Sequence, residues 1–260
     1  NGDFTVVRNT TATRVNRAGF IENVAANVPR LTYLTVGGNP FILDEPQRTN
    51  LLIQSNGFQT SSWSKLGSTS IIPIVTANSF LSPDNTINAA LIEMSSIADG
   101  EFSALIQGVT LITDNTTLSI FLRAFDASQV GKKVSVLCNS NTGITGVAAI
   151  LTLSWQRFTF NRTSQTNQII IGKGRISFIG GVSQAEMATK FYIYESQLEV
   201  GNTATSTIKT TTAAVTRNAD VITRTPPAET LKIITTFSDD TTQVLTTIPA
   251  TYTTPEGIIK

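Results

Sequence analysis

The chain has 260 residues, 40% of them hydrophobic and only 14% charged, with a formal net charge of +1 and no histidine. Near-neutrality without a clustered Lys/Arg run leaves no field to gather nucleic acid or an anionic membrane. Apolar stretches break within about eight residues, short of the ~20 that a membrane-spanning helix needs, so neither nucleic-acid binding nor membrane insertion is expected. Without imidazole, Ser-His-Asp and Cys-His catalysis and the usual zinc and iron sites drop out.

Cys138 is the single cysteine, so no intrachain disulfide can form. It sits in the alternating run Lys133–Cys138 and reads as a buried strand thiol. That suits a protein assembled in a reducing bacterial cytoplasm.

In chain order, strand signals begin at Phe4–Arg8, Arg14–Asn16, Phe20–Val24 and Leu31–Val36. Thr69–Thr76, Ala89–Met94, Phe102–Val109 and Thr116–Phe125 follow. Then come Lys132–Cys138, Val147–Leu153, Gln156–Asn161, Gln168–Ile171, Arg175–Ile179 and Phe191–Leu198. Their β-branched and aromatic content fits a pleated surface. The turns between them carry Pro, Asp, Asn and Gly, as in Ser82-Pro83-Asp84-Asn85.

Within Thr117–Phe125, Leu118, Ile120 and Leu122 share one face and Phe121, Arg123 and Phe125 the other. That predicts a central strand covered on both sides. Ser183–Lys190 reads as a loop with at most a helical turn. Many short strands without βα alternation predict an all-β fold, a two-sheet antiparallel sandwich.

Three regions are expected: a collar or attachment segment over 1–48, the sandwich over 49–223, and a small β unit over 224–260. The last contains Leu231–Phe237 and Gln243–Thr247, a hairpin too small to stand alone. It should pack on the sandwich or on a neighbouring chain. The missing initial Met and the stop at Lys260 suggest a processed or trimmed product.

Two stretches resemble a known group. Arg8–Asn16, Gly19–Leu31 and Glu45–Leu52 resemble the N-terminal collar of bacteriophage and prophage tail-fibre and virion structural proteins. Tyr192–Gly201 and Val215–Val221 resemble the last strand and exit segment of the same group. Between them, Phe58 with Trp63, and Trp155-Gln156-Arg157-Phe158, fit a carbohydrate-binding-module-like jelly roll. The resemblance spans roughly residues 3 to 223. It implies an antiparallel jelly-roll β-sandwich on a virion, in tail or head fibres that are homo-oligomers, with a trimer favoured. The implied partners are other virion proteins and host cell-surface glycans. One departure is that the aromatic pair Tyr192 and Tyr194 stands where the group usually carries a Trp.

The collar cluster of Arg8, Arg14, Arg30 and Arg48 with Glu22 and Glu45 is expected to be structural, its guanidinium forks satisfying a segment with little regular pairing. Capture of a phosphate or carboxylate is its alternative. Trp63, Trp155, Tyr192 and Tyr194 are the candidate sugar contacts, drawn from a pool that includes Phe58 and Phe80. Core packing and loop locking are the competing roles for Trp63 and Trp155.

No catalytic residue is assigned. Glycoside hydrolysis needs paired carboxyls about 5–9.5 Å apart. Glu195 and Glu199, expected to point the same way about 13 Å apart on a strand, are too far for a retaining pair. No cofactor is expected and no metal site is assigned. A structural Ca²⁺ would draw on Asp3, Asp84, Asp99 and Glu199. The alternatives to a non-enzymatic virion protein are an accessory glycan-binding module of a secreted enzyme and a carboxylate glycosidase.

Overall fold

The computed structural model describes residues 4–68, 72–94, 101–173 and 183–259. The chain divides into two compact units. One comprises Asn1–Arg48, Thr205–Ile208 and Thr216–Lys260, and the other Thr49–Ala204 and Lys209–Val215.

The strands of the first unit begin with β1 (Thr5–Val7), β2 (Ala12–Val15), β3 (Ile21–Val24), β4 (Leu31–Tyr33) and β5 (Pro40–Asp44). β6 (Arg48–Asn50) falls where the chain passes into the second unit.

The second unit holds β7 (Ser64–Gly67), β8 (Ile74–Leu81), β9 (Ile87–Glu93), β10 (Ser103–Ile112) and β11 (Thr116–Ala124). It continues with β12 (Lys133–Ser140), β13 (Gly143–Ile150), β14 (Gln156–Arg162), β15 (Thr166–Lys173) and β16 (Lys190–Val200). They form two five-stranded antiparallel sheets, ordered β13-β12-β15-β10-β7 and β14-β11-β16-β9-β8. The chain is all-β, and its second unit is the antiparallel two-sheet sandwich that the alternation predicts, of the jelly-roll kind that the resemblance implies. The expected strand at Arg175–Ile179 lies outside the described residues, as does the start of Thr69–Thr76. Ser183–Lys190 contains a 3₁₀ turn at Gln184–Glu186.

The core lies between the sheets. Leu105, Val134, Val136, Cys138, Ile169 and Ile171 face Ile92, Leu118, Ile120, Leu122, Phe191, Ile193 and Leu198. Burial of the Cys138 thiol pushes its pKa up to about 12, so it stays protonated at neutral pH. β11 is central in its sheet, but only its Leu118/Ile120/Leu122 face is sealed. Phe121, Arg123 and Phe125 are half-exposed on the other face, over which no further strand layer lies among the described residues.

The first unit resumes with β17 (Val215–Arg217), β18 (Val221–Arg224), β19 (Ile233–Thr236), β20 (Thr242–Leu245), β21 (Tyr252–Thr253) and β22 (Gly257–Ile259). Residues 224–260 differ from the expected separate unit, because they pair with the collar. β21 joins β18 and β1 in one sheet, and β22 pairs with β5, Gly257 opposite Asp44. The β19-β20 hairpin remains a separate two-stranded sheet, while the collar strand β5 takes β22 as its partner.

The collar is held by charge. Arg8 Nη1 donates to Asp220 Oδ1 at 2.7 Å, and Arg30 Nη1 to Glu45 Oε2 at 2.7 Å. Arg30 also meets Asp220, and Arg217 meets Glu45. Ser206 N and Oγ donate to Glu45 at 2.7 and 2.6 Å. The three guanidiniums are all but inaccessible, at 0%, 0% and 1% side-chain exposure. Burial raises the Glu45 pKa, but Arg217, Arg30 and Ser206 overcome it and hold the group below its ordinary value.

The expected structural cluster therefore exists with a changed membership. Arg8, Arg30 and Glu45 belong to it, and Arg217 and Asp220 complete it. Arg14 and Glu22 instead form a half-exposed cross-strand pair on the β2-β3 hairpin, at 2.6 Å. Arg48 donates to the Gln47 carbonyl and forms none of the cluster's ion pairs.

Asp220→Ala strands Arg8 and Arg30 without this carboxylate. Denaturant titration should show a loss of about 3–5 kcal/mol, against under about 1 kcal/mol for Arg14→Ala at the surface. Equal losses would refute the buried cluster as the tie.

Candidate functional site

The open face of the second sheet is built by a register slip. Along β16, Leu198 lies opposite Leu118 and Ser196 opposite Ile120, but Tyr194 lies opposite Phe121. Glu195 is the extra residue, with φ of 42°. Such bulges reverse the alternation beyond them. Ile193 and Phe191 therefore enter the core, while Tyr194 and Tyr192 turn to the outer face. Glu195 is itself the bulge residue, so strict alternation does not relate its direction to that of Glu199.

On that face Tyr192 stacks on Phe80 with centroids 4.4 Å apart and meets Phe125 at 5.6 Å. Tyr194 meets Phe121 at 5.9 Å and Trp155 edge-on at 6.4 Å. Cations lie over these rings. Arg123 is 4.3 Å from the Phe80 centroid, Arg157 5.4 Å from Phe121 and Lys190 5.5 Å from Phe125. Lys209 is 5.7 Å from Tyr194.

Three of the four candidate sugar contacts thus come together, with distinct roles. Tyr194 is fully buried and Tyr192 is 7% exposed, so they form the floor. Phe80, Phe121, Phe125 and Trp155 are half-buried and offer ring surface. Trp155 also donates from Nε1 to the Leu81 carbonyl at 2.9 Å, which fixes its plane.

Trp63 is elsewhere and is withdrawn from the set. It is fully buried in the core, 5.1 Å from Phe58, with Nε1 on the Gln54 carbonyl at 2.9 Å. A ring without an accessible face cannot stack on a ligand, and Trp63 instead locks the loop that ends at β7. Phe80, from the wider aromatic pool, joins the other three candidates, and Phe121, Phe125 and Arg123 are additions that the sequence does not single out as contacts. Their signal was the shared outer face of Phe121, Arg123 and Phe125, read there as a second buried side.

The Tyr194 hydroxyl is committed, donating to Asp84 Oδ2 at 2.9 Å. Asp84 also accepts from Lys209 at 2.8 Å, Ser82 at 2.6 Å and the Thr86 hydroxyl at 2.6 Å. Burial works to raise the Asp84 pKa, but these donors hold it well below the usual range. Burial, with Glu195 and Asp84 nearby, raises Tyr194. Asp84 thus anchors the floor and has no free oxygen for catalysis.

Asp3 and Asp99, named for a calcium ion, lie outside the described residues. Among the described residues no group of three His, Cys, Asp or Glu side chains is placed to hold a metal.

The first unit contains a separate cavity of about 520 Å³, walled by Phe4, Arg224, Pro226, Ile233 and Tyr252.

No protein-family model matches the chain, and no curated protein matches it. Solved structures do. A CBM61 module in complex with β-1,4-galactotriose is 19% identical with a TM-score of 0.38, over 57% of this chain and 97% of that one. The enzymatically active domain of the bacteriophage CBA120 tailspike protein 4 is 10% identical with a TM-score of 0.39, over 57% of this chain and 21% of that one. The CBM22-1 xylan-binding domain of Paenibacillus barcinonensis Xyn10C is 12% identical with a TM-score of 0.37, over 60% and 94%. These neighbours include carbohydrate-binding modules and a phage tailspike domain.

Burial pushes the Glu195 carboxyl up to about 7, against Ser55 and Lys209, which favour its charged form. In the unfolded chain a Glu ionises near ~4.3. Between these values the folded state holds the extra proton, so stability is full below about pH 4 and falls as pH rises through 7. Glu195→Gln should remove up to about 3 kcal/mol of that fall when melting is compared at pH 5 and 8. Asp44, which burial also pushes to about 7, leaves a residual slope of the same sign. An unchanged slope in the variant would refute the buried, protonated Glu195.

Proposed function

We propose that this chain is a non-enzymatic glycan-binding module of a phage particle, a fibre or appendage on tail or head, and that the open aromatic face of its second sheet takes the sugar. The observation that carries this reading is the clustering of Phe80, Phe121, Phe125, Trp155, Tyr192 and Tyr194 on one outer sheet face. Rings held rigid at a surface offer the C–H faces of a pyranose an apolar platform at little entropic cost.

Two features favour binding over turnover. The sequence has no histidine. Two carboxylates beside the rings are also engaged, Asp84 by its donors and Glu93 by Lys190.

The virion setting rests on the resemblance of the collar and exit segments. Those two stretches, far apart in sequence, meet through Arg8, Arg30 and Glu45 on one side and Arg217 and Asp220 on the other. Three copies in a fibre would convert weak sugar contacts into useful avidity. An accessory module of a secreted bacterial enzyme would use the same face as a monomer.

A glycan array with the purified chain should show binding that Phe80→Ala and Trp155→Ala each weaken by about tenfold or more, while melting is unchanged. Sugar release should be undetectable. Mass photometry should find trimers, whereas a monomer would favour the accessory-module reading. If no glycan binds, the face has another role.

A further inference from the structure

The cations on the aromatic face are not equally satisfied. Lys190 is paired with Glu93 at 2.5 Å and Lys209 with Asp84 at 2.8 Å. Arg123 makes no ion pair with any described residue. Its recorded contacts are a bond from Nη1 to the Ala124 carbonyl at 2.9 Å and the rings of Phe80 and Tyr192 beneath it.

Arg123 stands on β11, between β14 and β16 and away from either edge of the sheet. With Nη1 held by the Ala124 carbonyl, Nε and Nη2 make no hydrogen bond with a described residue and present the fork edge that can take a carboxylate bidentately. Partial burial disfavours its charge, as the downward shift of its pKa reflects. A counter-charge brought by a ligand would therefore be worth more here than at an open surface.

Arg157 adds to the same field. It lies opposite Phe121 on β14, so its Cα is a diagonal neighbour of Arg123 at about 7–8 Å.

We infer that the ligand of this face is an acidic polysaccharide whose sugars carry a carboxylate, which Arg123 takes in its guanidinium fork while the rings hold the sugar faces. The inference rests on the glycan-binding reading and adds the chemical class. Neutral sugars would use the rings and leave the Arg123 fork empty.

The test compares polygalacturonate, the same polymer after carboxyl reduction, and dextran sulfate, by affinity electrophoresis of the full chain at fixed ionic strength. Polygalacturonate should bind at least about tenfold more tightly than its reduced form. Arg123→Gln should bring the two to near equality, the readout being the ratio of native to reduced polymer and not either affinity alone. Arg123→Lys should keep only part of the preference, since an ammonium is not a fork.

Dextran sulfate bound as well as polygalacturonate, with the same loss in Arg123→Lys, would mean a general anion site and overturn the carboxylate assignment. Equal binding of reduced and native polymer overturns the inference while sparing the glycan reading. Failure of every polymer to bind, with the chain folded, overturns both. The wild-type ratio alone decides the matter if Arg123→Gln does not fold.

Discussion

The outer face of the second sheet depends on one residue held at positive φ. Glu195 adds one residue to β16 opposite Ile120 and Phe121. Without it, strict alternation from Leu198 and Ser196 would send Tyr194 and Tyr192 into the core and Ile193 and Phe191 outward. A left-handed non-glycine residue costs of order 1–3 kcal/mol and persists only where its surroundings over-determine it. Here they do. The Glu195 N–H donates to Asn56 Oδ1 at 3.3 Å, and Ser196 N–H donates to the Ser55 carbonyl at 2.8 Å. The loop supplying those acceptors is pinned from beneath by Phe58 and by Trp63, whose indole N–H holds Gln54. The two core aromatics thus act on the site at a distance, by fixing the loop that fixes the bulge.

The first unit solves a different problem by different means. Its strands are mostly three to five residues long, so each presents only a few apolar side chains and hydrophobic burial alone is a weak tie. A network of buried guanidiniums and carboxylates joins residues as far as 212 positions apart. Such a network gains little net stability over an apolar core, because desolvation offsets attraction. What it adds is geometric selectivity. Arg30 fits only when Glu45 and Asp220 are both in place, so an alternative docking of residues 216–224 would leave buried charge unmatched.

Much of the sandwich was legible in the sequence because alternation and turn residues report local constraints. Leu118, Ile120 and Leu122 were assigned to one face, and the core holds them there. The bulge was not legible. Gly or Asn at positive φ announces itself, whereas Glu at that conformation has no compositional signature. Parity counting across Tyr192–Glu199 was therefore bound to fail at Glu195. Nor could spacing pair Arg8 with Asp220 or Tyr194 with Asp84, since such contacts depend on how strands far apart in the chain are brought together. Trp63 and Trp155, similar as residue types, were separable only once their exposure was known.

The same constraints bear on how the face could bind. Tyr194 cannot rotate while Asp84 holds its hydroxyl, Trp155 is fixed by the Leu81 carbonyl, and Phe80 packs against both Tyr192 and Arg123. The ring surface is therefore ordered before any ligand arrives, and binding need not supply the entropy of assembling it. The Tyr194 hydroxyl is spent on this ordering, and Arg123 is a face cation with no protein counter-charge among the described residues. A surface that commits the Tyr194 hydroxyl to rigidity can draw polar discrimination from that guanidinium. That division of labour, rings for shape and one fork for charge, follows from the register that the Glu195 bulge imposes.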